Sequence, residues 1–207
     1  MRGCRQYDSN TLIVGGGYIG LEVAENLKMA GYNVSLIEAQ DQIMAPLDYD
    51  MVQIINREIM KNGVDLILKD SVQAIGSDEV TLASGRTVKA QAVVMAIGVS
   101  PENALAKQAG LELGVAGSIK VIRHYQTSNP HIYAVGDAIE TTCFFTGQKT
   151  QLTLAGPAQR QARAAADHVY GRTYLNTGVI GSSSVKMFGL NSANTGLNEK
   201  QCQARGI

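Results

Sequence analysis

The run GGGYIG, Gly15 to Gly20, holds the one G-x-G-x-x-G of this 207-residue chain. A short apolar stretch, Thr11 to Val14, precedes it. An apolar stripe at helical spacing follows: Ile19, Val23 and Leu27, with Leu21 and Ala24. Between a strand and a helix each glycine has a physical use. Gly15 permits a tight turn, Gly17 lets a pyrophosphate approach the backbone where a Cβ would stand, and Gly20 allows the helix to lie close to the strand. The N–H groups around Gly16, Tyr18 and Ile19, with the positive end of the helix dipole, then form an anion site. Glu38 stands eighteen residues after Gly20, at the end of the next strand. From there a carboxylate accepts hydrogen bonds from both ribose hydroxyls of an adenosine and repels a 2′-phosphate. Ala39-Gln40-Asp41-Gln42 offers no cation to compensate, so NAD(H) is preferred over NADP(H). Taken alone, Glu38 also reads as an exposed strand-end charge.

A second constellation is TSNPHIYAVGDAIE, Thr127 to Glu140. An apolar strand runs into Gly136-Asp137, and an acid beside a permissive glycine suits a polyhydroxyl chain. Helix capping by Asp137 is the alternative, with Ala138 opening a short helix. Cys4, Cys143 and Cys202 form no C-x-x-C, and each reads as an inert thiol. His124, His131 and His168 are scattered without metal-ligand spacing, so no metal is expected.

The elements that must position these residues alternate. After the first strand and helix come a strand at Asn33–Glu38, a helix at Tyr49–Lys61 and a strand at Val64–Leu68. That order gives right-handed crossovers and a parallel sheet. Short strands at Val72–Ile75, Glu79–Leu82 and Thr87–Lys89, with Ser84-Gly85 as a turn, predict an antiparallel meander. Ala92–Ile97 is continuously apolar, as in a strand buried on both faces, and ends at Gly98. Further on, a short helix is expected at Ala104–Ala109, strands at Ile119–Ile122 and Ile132–Val135, and a strong helix at Ala158–Tyr170, after Pro157.

Bulk properties exclude several functions. A 45% hydrophobic content suits one or two globular domains. Eighteen basic residues balance eighteen acidic ones, which gives no electrostatic reason to expect nucleic acid or a membrane surface as partner. The longest apolar run, Ala92–Val99, is far shorter than the ~20 residues of a membrane span. MRGCRQYDSN lacks the apolar middle of a secretory signal, so the expected location is cytoplasmic.

The motifs together resemble the flavin-dependent pyridine nucleotide-disulfide oxidoreductases, whose second FAD fingerprint has the form T-S-x-P-x-I-Y-A-x-G-D. The resemblance is closest to the branch of coenzyme A disulfide reductases and NADH oxidases. It runs over residues 11 to 207 through GGGYIGLEVAENL, Pro46-Leu47-Asp48, AIGVSP, LAGPAQRQARAAAD, VKMF and ANTGLNEK. It implies that Asp137 binds the ribitol and pyrophosphate region of FAD, and that Ala155-Gly156-Pro157 lies against the flavin ring. It casts Tyr18 as an aromatic gate over the flavin, sets Glu22 near the nicotinamide, and has Gly98 pass the dinucleotide close to the backbone. Tyr18 and Glu22 read equally well as solvated helix residues, and Arg160, which matches the family, as a charged helix face. Pro101-Glu102, Gln159 and Thr153 depart from the family's usual residues.

The implied architecture is α/β: a Rossmann-like parallel sheet with a β-meander, followed by part of a FAD-binding domain. The expected segments are a tail at 1–10, an NAD(H)-binding domain at 11–98, the C-terminal half of a FAD-binding domain at 99–172, and the start of a dimerisation domain at 173–207. In the family a first glycine fingerprint and a redox cysteine come earlier in the chain, so this sequence reads as an internal piece that retains FAD weakly or not at all. The parent is expected to be a homodimer that moves hydride from NADH to FAD and on to a small disulfide, such as coenzyme A disulfide, or to O2. The rival expectation is a free-standing NAD(H)-binding or redox-sensing module without flavin or turnover.

Overall fold

The computed structural model describes residues 9–173 and 176–207. Cys4 and most of the expected tail lie outside them. The chain forms two compact units: residues up to Gly98 together with Ser184–Ile207, and Val99–Ser183.

In the first unit β1 (Asn10–Val14), β2 (Asn33–Glu38), β3 (Val64–Leu68) and β7 (Ala92–Met95) make a parallel sheet in the order β3-β2-β1-β7. Helix α1 (Tyr18–Met29) joins β1 to β2, and α2 (Tyr49–Lys61) joins β2 to β3. The meander β4 (Val72–Ile75), β5 (Glu79–Leu82) and β6 (Thr87–Lys89) fills the link from β3 to β7. Side chains alternate between the two faces of a strand, and the sheet sorts them accordingly. Ile13, Val34, Leu36 and Val64 pack in one cluster with Leu21 and Ala24 of α1 and Val52, Ile55 and Ile59 of α2. Leu12, Val14, Ile37 and Ile67 pack in the other with Val80, Leu82 and Val88 of the meander. Both faces of β1 and β2 are therefore covered, which explains the consecutive apolar residues Leu12-Ile13-Val14 of β1 and Leu36-Ile37 of β2.

Helix α1 stops because Gly31 takes φ of +98° and its N–H donates to the Lys28 carbonyl, while the Tyr32 N–H donates to that of Leu27. The hairpin of β10 (Ser183–Met187) and β11 (Leu190–Asn194) belongs to this unit from Ser184 on. Val185 and Met187 enter the helix-side core, and Glu25 and Glu58 accept the N–H groups of Phe188 and Gly189 at its tip.

Strand β7 corrects the expectation for Ala92–Ile97. It is an edge strand that ends at Met95, paired with β1 alone. Met95 and Ile97 are 53% and 70% exposed. Val93 packs against the meander-side cluster and Val94 and Ala96 against the helix-side cluster, so both faces touch a core, but among the described residues no strand pairs with its outer edge and none of its residues is fully buried.

The second unit is mostly irregular. It contains α3 (Ala104–Gln108), the two-residue strands β8 (Thr141–Thr142) and β9 (Lys149–Thr150), and α4 (Ala155–Val169). Neither strand expected at Ile119–Ile122 or Ile132–Val135 forms; single bridges such as Ile119 with Ile139 and Gln126 with Tyr133 take their place. Tyr125, Ile139, Ala164 and Ala165 form its small core. Helix α4 opens three residues before its expected start, with Pro157 inside the first turn. A first-turn N–H has no intrahelical acceptor, so proline removes nothing there. In the first unit, α5 (Glu199–Gln203) closes the chain with a capping box between Asn198 and Gln201.

Candidate functional site

The glycine turn is held from both sides. The Gly15 N–H donates to the Ile37 carbonyl at 2.8 Å, and the Ala96 N–H donates to the Val14 carbonyl at 2.7 Å. Gly15 takes φ of +108°, and a Cβ on it would run into the Ala96 carbonyl oxygen. A Cβ on Gly20 would strike the Gly15 carbonyl oxygen, so the helix lies against the turn at a distance that glycine alone permits. A Cβ on Gly17 would meet nothing within 4 Å. That open side sits at the N-cap of α1, whose first turn carries no acidic residue and no side-chain cap. Its N–H groups are therefore placed for an anion.

Gly16 has a part that spacing alone did not reveal. Its N–H donates to Glu38 Oε2 at 2.8 Å, and Glu38 Oε1 accepts the Gln40 N–H at 2.9 Å. The half-buried acid at the end of β2 is thus tied to the turn at the end of β1. The Met44 N–H donates to the Gly16 carbonyl at 2.8 Å, fastening the loop after β2 to the same turn.

Ile19 and Glu22 are exposed. The Tyr18 hydroxyl donates to Asn194 Oδ1 at 2.8 Å, and its ring packs against the helix-side core. Asn194 lies 176 residues away, and no local pattern could have flagged it. Replacing Tyr18 with phenylalanine removes its part-buried hydrogen bond to Asn194, and we expect that loss to cost about 1 kcal/mol of stability in thermal unfolding. An additive double-mutant cycle with Asn194→Ala would show that the two side chains do not act as a pair.

Gly98, at the end of the first unit, takes φ of +108° with open space where a Cβ would stand. In the second unit Gly136 takes φ of +78° and begins a 3-10 turn, Gly136–Ala138. Its N–H donates to Oε1 of the buried Gln161 of α4 at 2.7 Å. The turn's cap is Val135, so Asp137 is not capping a helix, and it is exposed. Ala155, Gly156 and Pro157 are the first three residues of α4, which opens with no acid and no side-chain cap. The contact of Gly136 with α4 brings the second glycine-acid pair and the Ala-Gly-Pro segment together; nothing in their spacing announced Gln161 as the link. Arg160 is exposed.

Two of the scattered histidines also meet. His124 and His168 stack with ring centroids 4.4 Å apart, and Tyr133 Oη lies 2.7 Å from His168 Nδ1. Cys143 and Cys202 are not disulfide-bonded. Among the described residues no cluster of three metal-ligating side chains occurs, and no helix is long and apolar enough to cross a membrane.

The glycine turn at the end of β1 is thus bonded to the acid of the neighbouring strand. Residues 4–162 match the family model described as pyridine nucleotide-disulphide oxidoreductase, and the chain belongs to that family. It is 35% identical over 199 residues to an NADH oxidase of Methanocaldococcus jannaschii, which covers 94% of this chain and 43% of that protein. It is 31% identical over 191 residues to a coenzyme A disulfide reductase of Staphylococcus epidermidis, covering 92% of this chain and 44% of the relative. Among solved structures, the reduced Bacillus anthracis CoADR-RHD superposes with a TM-score of 0.93 at 44% identity, covering 96% of this chain and 36% of that one. The α/β fold is that of the family. The chain spans less than half the length of these relatives.

Proposed function

We propose that this chain is the NAD(H)-binding region of a flavoprotein oxidoreductase, a cytoplasmic homodimer that passes hydride from NADH to FAD and on to a small disulfide, such as coenzyme A disulfide, or to O2. The observation that carries this reading is the bond between the glycine turn and Glu38. An ionised carboxylate has about four lone-pair sites. Glu38 uses two, on the Gly16 and Gln40 N–H groups. The two left over suit a pair of ribose hydroxyls, and the carboxylate need not reorganise to receive them. The open face at Gly17 and the uncapped start of α1 would take the pyrophosphate.

For FAD the fitting groups are the exposed carboxylate of Asp137, the permissive backbone at Gly136 and the uncapped first turn of α4 at Ala155, Gly156 and Pro157. When bound, nicotinamide and flavin supply the hydride chemistry, and the protein supplies orientation and electrostatics. Gln161 holds Gly136 in place by accepting its N–H, which fixes where Asp137 leaves the turn. The names of the relatives support a disulfide or oxygen as acceptor.

Titration calorimetry with NADH tests the reading. The chain should take up NADH with one site, and Glu38→Ala should weaken it about tenfold or more, the scale of charge-assisted hydrogen bonds lost to a bound ligand. No uptake by a folded chain, or an unchanged affinity in the variant, would end the proposal.

A further inference from the structure

The loop after β2 carries no cation, yet the sheet brings one to it. The parallel register sets Leu68 of β3 beside Glu38 of β2, so the two chains leave the sheet together. The Lys69 N–H donates to the Gln40 carbonyl at 3.0 Å, and the Asp70 N–H to the Glu38 carbonyl at 3.4 Å. Lys69 adopts φ of +58°, a left-handed conformation that a residue with a Cβ enters only at a cost. Its side chain is exposed, and its ammonium makes no hydrogen bond or ion pair among the described residues.

We infer that Lys69 is a specificity residue for the adenosine end of the dinucleotide, pairing with a 2′-phosphate so that the chain binds NADPH as well as NADH. The inference rests on the reading of the glycine turn and Glu38 as a dinucleotide site. A ribose held by Glu38 carries its 2′ substituent at the acid, where the carboxylate repels a phosphate. Lys69 is anchored through Gln40, the residue whose N–H the same carboxylate accepts. A lysine ammonium on its flexible four-carbon stem is a mobile point charge. Screening at physiological salt acts over about 8 Å, so a cation one residue beyond the register partner of Glu38 offsets part of that repulsion.

Of the neighbouring acids, Asp41 is exposed in the same loop as Gln40 and opposes Lys69 in part. The Asp70 carboxylate faces the meander: Ser84 Oγ and the N–H groups of Ser71 and Ser84 donate to it. The Ser84 hydroxyl bond is the main cause holding the Asp70 carboxyl below the usual carboxylate range. Lys69 thus narrows the preference for NADH that Glu38 establishes, without reversing it.

NADH and NADPH are titrated against the natural chain, Lys69→Gln and Lys69→Arg, at low and at physiological salt, with the melting temperature of each protein recorded. Lys69→Gln should lose about fivefold in NADPH affinity, the range for one solvent-facing charge-assisted contact. Its NADH affinity should change less than twofold, Lys69→Arg should keep NADPH binding, and added salt should shrink the difference. The inference is overturned if both affinities shift together, if neither shifts, or if the natural chain binds NADH with no measurable NADPH binding. If the natural chain binds neither dinucleotide, the site reading itself fails and this inference with it.

Discussion

Replacing Gly17 with valine is expected to reduce NADH affinity by about a hundredfold while leaving the melting temperature within a degree or two of the natural chain. The separation of the two effects comes from where the new atoms go. Gly17 has φ of −82° and ψ of −171°, an extended conformation open to any residue, and a Cβ there meets no protein atom within 4 Å. Nothing in the fold resists the side chain. The same space is where a pyrophosphate would approach the first N–H groups of α1, and a branched side chain at that point holds the anion away from them. Loss of charge-assisted hydrogen bonds and steric exclusion together amount to about 3 kcal/mol. Calorimetric titration beside thermal unfolding reads both quantities. Normal NADH binding by a folded Gly17→Val chain would place the ligand elsewhere.

The parts of this structure legible in the sequence are those whose signals are local. The 2-residue and 3.6-residue periods of β1, α1, β2, α2 and β3 are each carried within a few residues, and the parallel sheet follows from their alternation. The glycine turn and the acid at the end of β2 are legible for the same reason: both sit at strand ends, and the order of elements puts those ends side by side. Contacts between distant segments were not legible. Asn194 reaches Tyr18 only because β11 belongs to the first unit, and Lys69 reaches Gln40 only through the register of β3 on β2. The pairing of His124 with His168 depends on how a loop meets the last turn of α4. The exposure of β7 was misread because hydrophobicity reports what a strand tolerates, not how many neighbours it has. In the second unit single bridges replace ladders, and Ile119 and Tyr133 have strand-like chemistry without a strand's partners.

Gly15→Ala should do the reverse of Gly17→Val and act on the fold first. The backbone there stands at φ of +108°, outside the regions an alanine occupies without strain, and its Cβ would run into the carbonyl of Ala96, whose carbon lies 2.8 Å from the added atom. That carbonyl cannot simply retreat. The Ala96 N–H is bonded to Val14 at 2.7 Å, and the Gly15 N–H to Ile37 at 2.8 Å, so a shift of either segment breaks a bond that joins β1 to a neighbouring strand. Backbone strain and overpacking each contribute about 1 to 3 kcal/mol, and a total of about 3 kcal/mol corresponds to a drop of roughly 10 °C in melting temperature for a chain of this size. Hydrogen exchange should localise the loss to the N–H groups of Gly15, Ala96 and the ends of β1 and β7, where the collision is felt. A Gly15→Ala protein melting with the natural chain would mean that the turn yields more easily than these bonds allow. The anion site would then owe its shape to the ligand rather than to the sheet beneath it.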